Sequence, residues 1–261
     1  MWYDWISRNI GFNVLVFGKG VAVPEYAATL ELLACVFIGY LLGSINSAII
    51  TSKALFGKDI RNFGSGNAGL TNMLRVFGKK AALFTLLGDM LKSALSVLLG
   101  AWVCYNSSEG AHLAGLFCVL GHIAPIYYGF RGGKGVLAAA TMILVLDPVV
   151  FLLLIATFAL VLFMTRFVSM ASVIAAFLYP AYIYVISMTL TGDPPRFFKL
   201  LFAVVTAVMV IFMHRKNLER VYKGTENKFS FKSKPTAEKS EDDKKDDDDD
   251  DDVEYIEVYK K

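Results

Sequence analysis

The sequence predicts an all-α fold: a polytopic membrane helical bundle of about seven transmembrane helices, with active-site loops on the cytoplasmic side. Three observations carry this expectation. Hydrophobic residues make up 56% of the 261 positions, too large a share for an ordinary soluble domain. Apolar runs recur along the chain, several near the roughly 20 residues that a bilayer-crossing helix needs. Lys and Arg gather in alternate loops, the bias of cytoplasmic segments.

Taken in order, residues 1–25 read as an interfacial amino-terminal segment. Trp2, Tyr3 and Trp5 suit the headgroup level, and no basic n-region or small-residue cleavage site marks a signal peptide. Spans are expected over Tyr26–Ile50, Ala81–Tyr105, Leu113–Tyr128, Val136–Leu146, Val149–Phe163, Met170–Leu190 and Phe197–Met213. The fourth and fifth are short and separated by Asp147-Pro148. They read as two spans joined by a tight turn, because Pro suits a helix start and opposes continuation. Residues 26–228 form the membrane-integral domain. From 229 to 261 the chain turns to Lys, Ser, Glu and Asp and includes the run Asp246–Asp252. Such a composition cannot bury enough apolar surface to order itself, so a disordered acidic cytoplasmic tail is expected. Cys35, Cys104 and Cys118 lie in apolar runs without metal-ligand spacing and read as small buried residues.

The net charge of +3 hides segregation. Lys53, Lys58, Arg61, Arg75, Lys79 and Lys80 crowd the first loop, expected from Lys53 to Lys80. Arg131 and Lys134 occupy the next, Arg166 follows a later span, and His214, Arg215, Lys216, Arg220 and Lys223 follow the last. The intervening turns hold Glu109, Asp147, Asp193 and Arg196. This pattern puts the amino terminus outside and the carboxyl terminus in the cytoplasm.

The first loop carries the densest chemistry, Gly64-Ser65-Gly66-Asn67-Ala68-Gly69-Leu70-Thr71-Asn72-Met73-Leu74-Arg75. Glycines allow tight turns and close ligand approach, and Ser, Asn and Thr offer donors to an anionic oxygen. Arg75 adds a permanently charged fork, and Arg61 with Arg75 could neutralise a doubly charged phosphate. The second loop, Phe130-Arg131-Gly132-Gly133-Lys134-Gly135, lets backbone wrap an anion that the Lys134 ammonium meets as a point charge. Its spacing is not that of a nucleotide-binding P-loop. Ser169 reads either as a helix cap or as a substrate contact. His214 and Asn217, three apart at a helix end, project from nearly one face and could bind a polyol or phosphate. His122 reads as a helix-end hydrogen-bonding residue. Asp89 and Lys92 share a face inside a span, either as a structural ion pair or as substrate-facing groups.

No serine has an evident His-Asp partnership, no cysteine has an activating setting, and no metal cluster is visible. A chain poor in nucleophiles and rich in phosphate binders suits substrates that bring their own reactivity. An acyl phosphate is such a substrate, a mixed anhydride with an electrophilic carbonyl and a good leaving group. Positioning and charge stabilisation would suffice to accelerate attack by an alcohol.

At these residues the chain resembles the membrane-integral acyl-phosphate:glycerol-3-phosphate acyltransferase family (PlsY type), from about Leu32 to Lys228. The resemblance rests on motifs in order: Gly43-Ser44-Ile45; Asp59-Ile60-Arg61 with the glycine stretch ending at Arg75; Gly121-His122 with Gly132-Gly133-Lys134-Gly135; Arg166-Phe167-Val168-Ser169; and His214-Arg215-Lys216-Asn217 with Gly224-Thr225-Glu226-Asn227-Lys228. It implies acyl transfer from acyl phosphate to the 1-hydroxyl of glycerol 3-phosphate, giving lysophosphatidic acid and phosphate, without metal, cofactor or nucleic acid. It implies a bacterial inner membrane and a substrate-assisted mechanism. Catalytic roles would fall to Ser65, Arg75, Lys134, His214 and Asn217. Substrate binding would fall to Gly64, Gly66, Asn67, Thr71, Asn72, Gly132, Gly133, Gly135 and Ser169. The class built on a His-x4-Asp motif is not matched, since Phe117, Tyr127 and Glu219 follow His112, His122 and His214 at that spacing. Asn46 stands where many family members have Pro, and Leu70 where Ala is usual.

Two other functions compete. A transporter for a phosphorylated solute would favour a midplane site and a related second half; the motifs are one-sided and no inverted repeat is seen. A scaffold recruiting partners through the acidic tail would leave the glycine loops without a purpose.

Overall fold

Long runs of Leu, Val, Ile, Phe and Ala can satisfy their backbone in lipid only within a helix or a closed barrel. The computed structural model describes residues 9–18, 24–104 and 107–229, and its regular elements are helical, with no strand among the described residues. Trp2, Tyr3 and Trp5 and the chain beyond Phe229 lie outside them. The helices are α1 (Phe12–Phe17), α2 (Glu25–Ser44), α3 (Ser47–Phe56), α4 (Leu70–Val103), α5 (Ser107–Ile123), α6 (Val136–Leu146), α7 (Pro148–Thr165), α8 (Val168–Thr191), α9 (Phe197–Met213) and α10 (Arg215–Tyr222).

Among the described residues five segments are long and apolar enough to cross a membrane: Glu25–Phe56, Leu70–Val103, Ser108–Tyr128, Pro148–Thr165 and Val168–Thr191. A sixth is counted if α9 and α10, bent by 51° at His214, make one span. Among the described residues the expected count of about seven is not reached. Helix α6 has 11 residues, about 16 Å at 1.5 Å per residue, roughly half a hydrocarbon core. It is apolar because protein surrounds it: Ala138 and Met142 are fully buried and Ile143 and Leu146 nearly so. The turn at Asp147-Pro148 does separate two helices, with Pro148 in the first turn of α7.

The first expected span breaks at Ile45-Asn46. Asn46 caps α3 by accepting from Ile49 N at 3.0 Å, and its Nδ2 donates to Ala68 O at 3.3 Å. The first polar loop is shorter than the charge pattern suggests, since α3 runs to Phe56 and α4 starts at Leu70. Thr71, Asn72 and Arg75 therefore sit on the opening turns of a helix, which kinks at Gly78 (φ 79°). Helices α2 and α5 pack backbone to backbone: a Cβ at Gly43 would lie 2.2 Å from Cys118 O. Small residues permit such approaches in membranes.

A buried ion pair fastens these parts. Lys92 Nζ donates to Gly43 O (3.1 Å) and Ile45 O (2.6 Å), carbonyls left open by the break after α2. It also pairs with Asp89 Oδ1 (3.0 Å) and donates to His122 Nδ1 (3.0 Å). The Lys92 and Asp89 side chains are 4% and 1% exposed. These contacts are those of a structural ion pair, and Asp89 and His122 also line the cavity of the candidate site. Lys92→Met should destabilise the protein by about 3–5 kcal/mol, because it strands the Asp89 charge. Adding Asp89→Leu should recover part of that loss. Thermal unfolding in detergent measures both, and a Lys92→Met midpoint equal to wild type would contradict the assignment.

Candidate active site

Helices α4, α6 and α8 all begin at one end of the bundle, and their first turns open on one cavity of about 640 Å³. The first-turn N–H groups of a helix lack intrahelical acceptors and carry the positive end of its dipole, so three such ends favour an anion. Arg75, Lys134, Arg220 and Glu226 line the same cavity, and Asp89 and His122 are in its lining as well. Deeper walls are apolar: Ile143, Phe151, Leu154, Phe158, Ala175 and Val210.

The glycine stretch is shaped by Asn72. Its Oδ1 accepts from Ser65 N at 3.0 Å, and its Nδ2 donates to Phe63 O (2.9 Å) and Asn67 O (3.1 Å). Gly64 has φ 58°, and a Cβ there would fall 2.4 Å from Asn72 Oδ1. Only glycine meets both demands. Arg61 serves elsewhere. Both Asp59 oxygens accept from its guanidinium (3.0 and 2.8 Å), and Nη1 donates to Tyr128 O (2.7 Å) and Arg131 O (3.3 Å). It thus ties the first polar loop to the second and holds the Asp59 carboxyl down at about 2.

In the second loop Gly132 N donates to Ile123 O and Gly133 N to His122 O, folding the chain back on the end of α5. A Cβ at Gly132 would lie 2.1 Å from His122 O, and one at Gly133 2.1 Å from His122 Nε2. The loop thereby delivers Lys134, whose Nζ donates to Asn217 Oδ1. Burial pushes the Lys134 ammonium down to about 8, helped by Arg220 and Arg75 and opposed by Glu226.

The carboxyl-terminal part closes the mouth through Glu226. Its Oε1 accepts from Ser169 Oγ (2.9 Å) and Asn217 Nδ2 (2.6 Å), and its Oε2 from Arg220 Nε (2.7 Å). Burial alone would raise the Glu226 carboxyl, but these hydrogen bonds outweigh it and hold it below the usual carboxylate range. Ser169 does not cap α8, whose N-cap position is Phe167. Phe229, the first residue of the expected tail, donates from its N–H to Arg166 O at 2.7 Å and lines the cavity. His214 sits at the break after α9, 3% exposed. Its Nδ1 lies 2.7 Å from Val210 O, a pure acceptor, so Nδ1 carries the proton and Nε2 is left as an acceptor in the neutral ring. Burial, then the Lys134 charge, pushes this imidazole down to about 4.

Residues 33–224 match the family model described as glycerol-3-phosphate acyltransferase. The glycerol-3-phosphate acyltransferase of Chlorobaculum tepidum is 39% identical over 228 residues, 77% of this chain and 98% of that protein. The one from Streptococcus thermophilus is 37% identical over 209 residues, 77% of this chain and 95% of that protein. The chain belongs to the glycerol-3-phosphate acyltransferase family. Among solved structures it is similar to the glycerol 3-phosphate form of PlsY, an integral membrane glycerol 3-phosphate acyltransferase (TM-score 0.67, 34% identity, 77% of this chain and 96% of that one). The lysophosphatidic acid form of PlsY gives a TM-score of 0.65 at 31% identity over the same shares. Like that protein, this acyltransferase family member is an integral, multi-pass membrane protein.

Within this acyltransferase-family chain, Ser65, Arg75, Lys134, His214 and Asn217 all line the one cavity, as do Gly64, Asn67, Thr71, Asn72, Gly135 and Ser169. Gly66, Gly132 and Gly133 are not among the residues that line it. Gly66 (φ 70°) closes a turn by donating to Phe63 O, and the other two pack on His122. Glu226 and Arg220 are site residues that sequence reasoning passed over. The Gly224–Lys228 motif was visible, but the partnership with Ser169 crosses 57 residues.

The Lys134 ammonium is lost as pH rises through about 8, whereas an anion prefers the protonated form. A phosphate monoester is dianionic above about pH 6. It should bind with steady affinity from about pH 7 to 8, then weaken by up to about tenfold per unit. Calorimetric titration follows this. Lys134→Arg should flatten the profile, and a wild-type affinity unchanged to about pH 9.5 would contradict it.

Proposed function

We propose that the chain transfers a fatty acyl group from acyl phosphate to the 1-hydroxyl of glycerol 3-phosphate. The products are 1-acylglycerol 3-phosphate (lysophosphatidic acid) and inorganic phosphate, in the first acylation step of phospholipid biosynthesis. The observation that carries this reading is one cavity with a cationic, hydrogen-bonding mouth and an apolar interior. Such a cavity suits a phosphate group at the membrane surface and a hydrocarbon tail below it. Two names support the acceptor and product: the similar PlsY structures are its glycerol 3-phosphate and lysophosphatidic acid forms.

In this mechanism Ser65, Arg75 and Lys134, with the open ends of α4 and α6, hold phosphate oxygens and stabilise charge on the leaving group. Asn67, Thr71 and Asn72 border that pocket. His214 and Asn217 orient glycerol 3-phosphate, with His214 Nε2 accepting from the attacking hydroxyl. An imidazole held at about 4 is a weak base, which supports a positioning role rather than proton abstraction. The hydroxyl oxygen attacks the acyl carbonyl carbon, and the bond from that carbon to the phosphate oxygen breaks. A phosphate oxygen of the donor takes the hydroxyl proton, so no protein nucleophile, metal or cofactor is required. Most of the acceleration then comes from alignment in a water-poor site. The reading places the protein in a bacterial inner membrane, amino terminus outside, with the catalytic mouth and carboxyl terminus in the cytoplasm, as the alternate-loop charge bias suggests.

Purified protein supplied with palmitoyl phosphate and glycerol 3-phosphate should release phosphate and form lysophosphatidic acid in equal amounts. Palmitoyl-CoA in place of the acyl phosphate should give no product. Ser65→Ala, Lys134→Ala and His214→Ala should each lower kcat/KM by about 100-fold or more. Turnover of the CoA ester but not of the acyl phosphate would overturn the donor assignment.

A further inference from the structure

Tyr179 of α8 and Thr206 of α9 line the apolar part of the cavity, each 2% exposed. Neither hydroxyl has a hydrogen-bond partner among the described residues, and the same holds for His112 Nε2 and Asp147 Oδ2. Phe202, buried between them, meets Tyr179 and His112 edge-on at ring distances of 6.3 and 5.6 Å. Asp147 lies within electrostatic reach of both Tyr179 and His112 and pairs with Lys199. A hydrocarbon chain descending the cavity therefore meets a packed, polar layer where further methylenes gain nothing.

The depth above this layer follows from helix geometry. Thr206 lies eight residues before His214, about 12 Å along α9 at 1.5 Å per residue. Tyr179 lies ten residues after Ser169, about 15 Å along α8. A C–C bond of about 1.52 Å at an angle of about 111° advances a chain by about 1.25 Å, so about ten to twelve carbons fill the depth. The wall is open on one side: Ile155 of α7 lines the cavity and is 44% exposed.

We propose that Tyr179 and Thr206 form a stop that fixes how much of the acyl chain the protein encloses, about ten to twelve carbons, and that the remainder leaves past Ile155 into lipid. The inference rests on the acyltransferase reading above and adds its chain-length rule. A shorter chain leaves a void and loses contacts. Carbons beyond the stop stay in a lipid environment and add no differential binding.

The test is a donor series from octanoyl to octadecanoyl phosphate, with thermal stabilisation by lysophosphatidic acids of matching lengths as a parallel binding readout. Wild-type kcat/KM should rise at least about fivefold from octanoyl to dodecanoyl and then level off. Tyr179→Ala should move the break to longer chains, so that palmitoyl exceeds dodecanoyl by at least about threefold. Ala176→Leu, which narrows the shaft one turn above the stop, should move it to shorter chains; Tyr179→Phe should leave it in place. Opposite shifts in two variants cannot come from a general loss of folding, and Ala207→Leu repeats the narrowing if Tyr179→Ala does not fold. Superimposable profiles in wild type, Tyr179→Ala and the narrowed variants would overturn the proposal. If acyl phosphates are not turned over, a break in the lysophosphatidic acid series that shifts in these directions upholds the stop and rejects only the donor, and a series without a break rejects the stop.

Discussion

The buried ammonium of Lys92 is the contact on which the site's placement depends. A charge inside a membrane domain is costly unless every donor finds an acceptor. Here it meets two carbonyls from the break after α2, the Asp89 carboxylate and the His122 ring. Each partner leads to a piece of the site. The break lets Asn46 start α3 and hold Ala68 of the glycine stretch. His122 is the surface on which Gly132 and Gly133 fold before Lys134. One ion pair thus sets the two glycine loops relative to each other, and the Arg61 bridge to Tyr128 and Arg131 fixes them a second time.

Above that knot, the mouth concentrates positive potential from two sources. Three helix starts contribute partial charges, and Arg75, Lys134 and Arg220 contribute whole ones. Glu226 keeps this set from flying apart. Its carboxylate joins Arg220, Asn217 and Ser169, and through Asn217 reaches Lys134. The network leaves an excess of cations to attract a phosphate dianion while holding polar groups whose geometry is already set. Preorganised donors of this kind stabilise developing charge without reorganising during reaction. Beneath them the wall is largely apolar, as the proposed acyl donor would require.

Much of the fold was legible because lipid reduces the choices. Apolar runs reported α6 and α9 to the residue and the Pro148 break between α6 and α7. Apolar composition alone misled for α6, which is too short to span and buries most of its side chains against protein. The interruption at Ile45-Asn46 was hidden, since a single polar residue inside a hydrophobic run does not announce a break until its capping partner is known. The glycine stretch and the isolated Lys134, His214 and Asn217 stood out as chemistry because polar groups beside spans have few other uses. Gly66, Gly132 and Gly133 looked the same in sequence as Gly64 and Gly135. Only the neighbours distinguish a glycine that faces the cavity from one that packs on His122.

By itself, the sequence determined an all-helical membrane domain, the end of the bundle at which chemistry collects, and a set of phosphate-binding residue types. These follow from hydrophobicity, charge bias and backbone freedom, which are local properties. The tertiary structure decided which cations face the cavity, turning Arg61 to Asp59 while Arg75 lines the mouth. It decided that Lys92 joins Asp89 to the break after α2 and to His122, that Glu226 joins Ser169, Asn217 and Arg220, and that Tyr179 and Thr206 line the apolar part of the cavity. Beside local pairs such as Arg61 with Asp59, they depend on contacts between residues far apart in the chain, such as Lys92 with Gly43, Arg61 with Tyr128 and Ser169 with Glu226, and pairing across such distances leaves no periodic trace in one sequence.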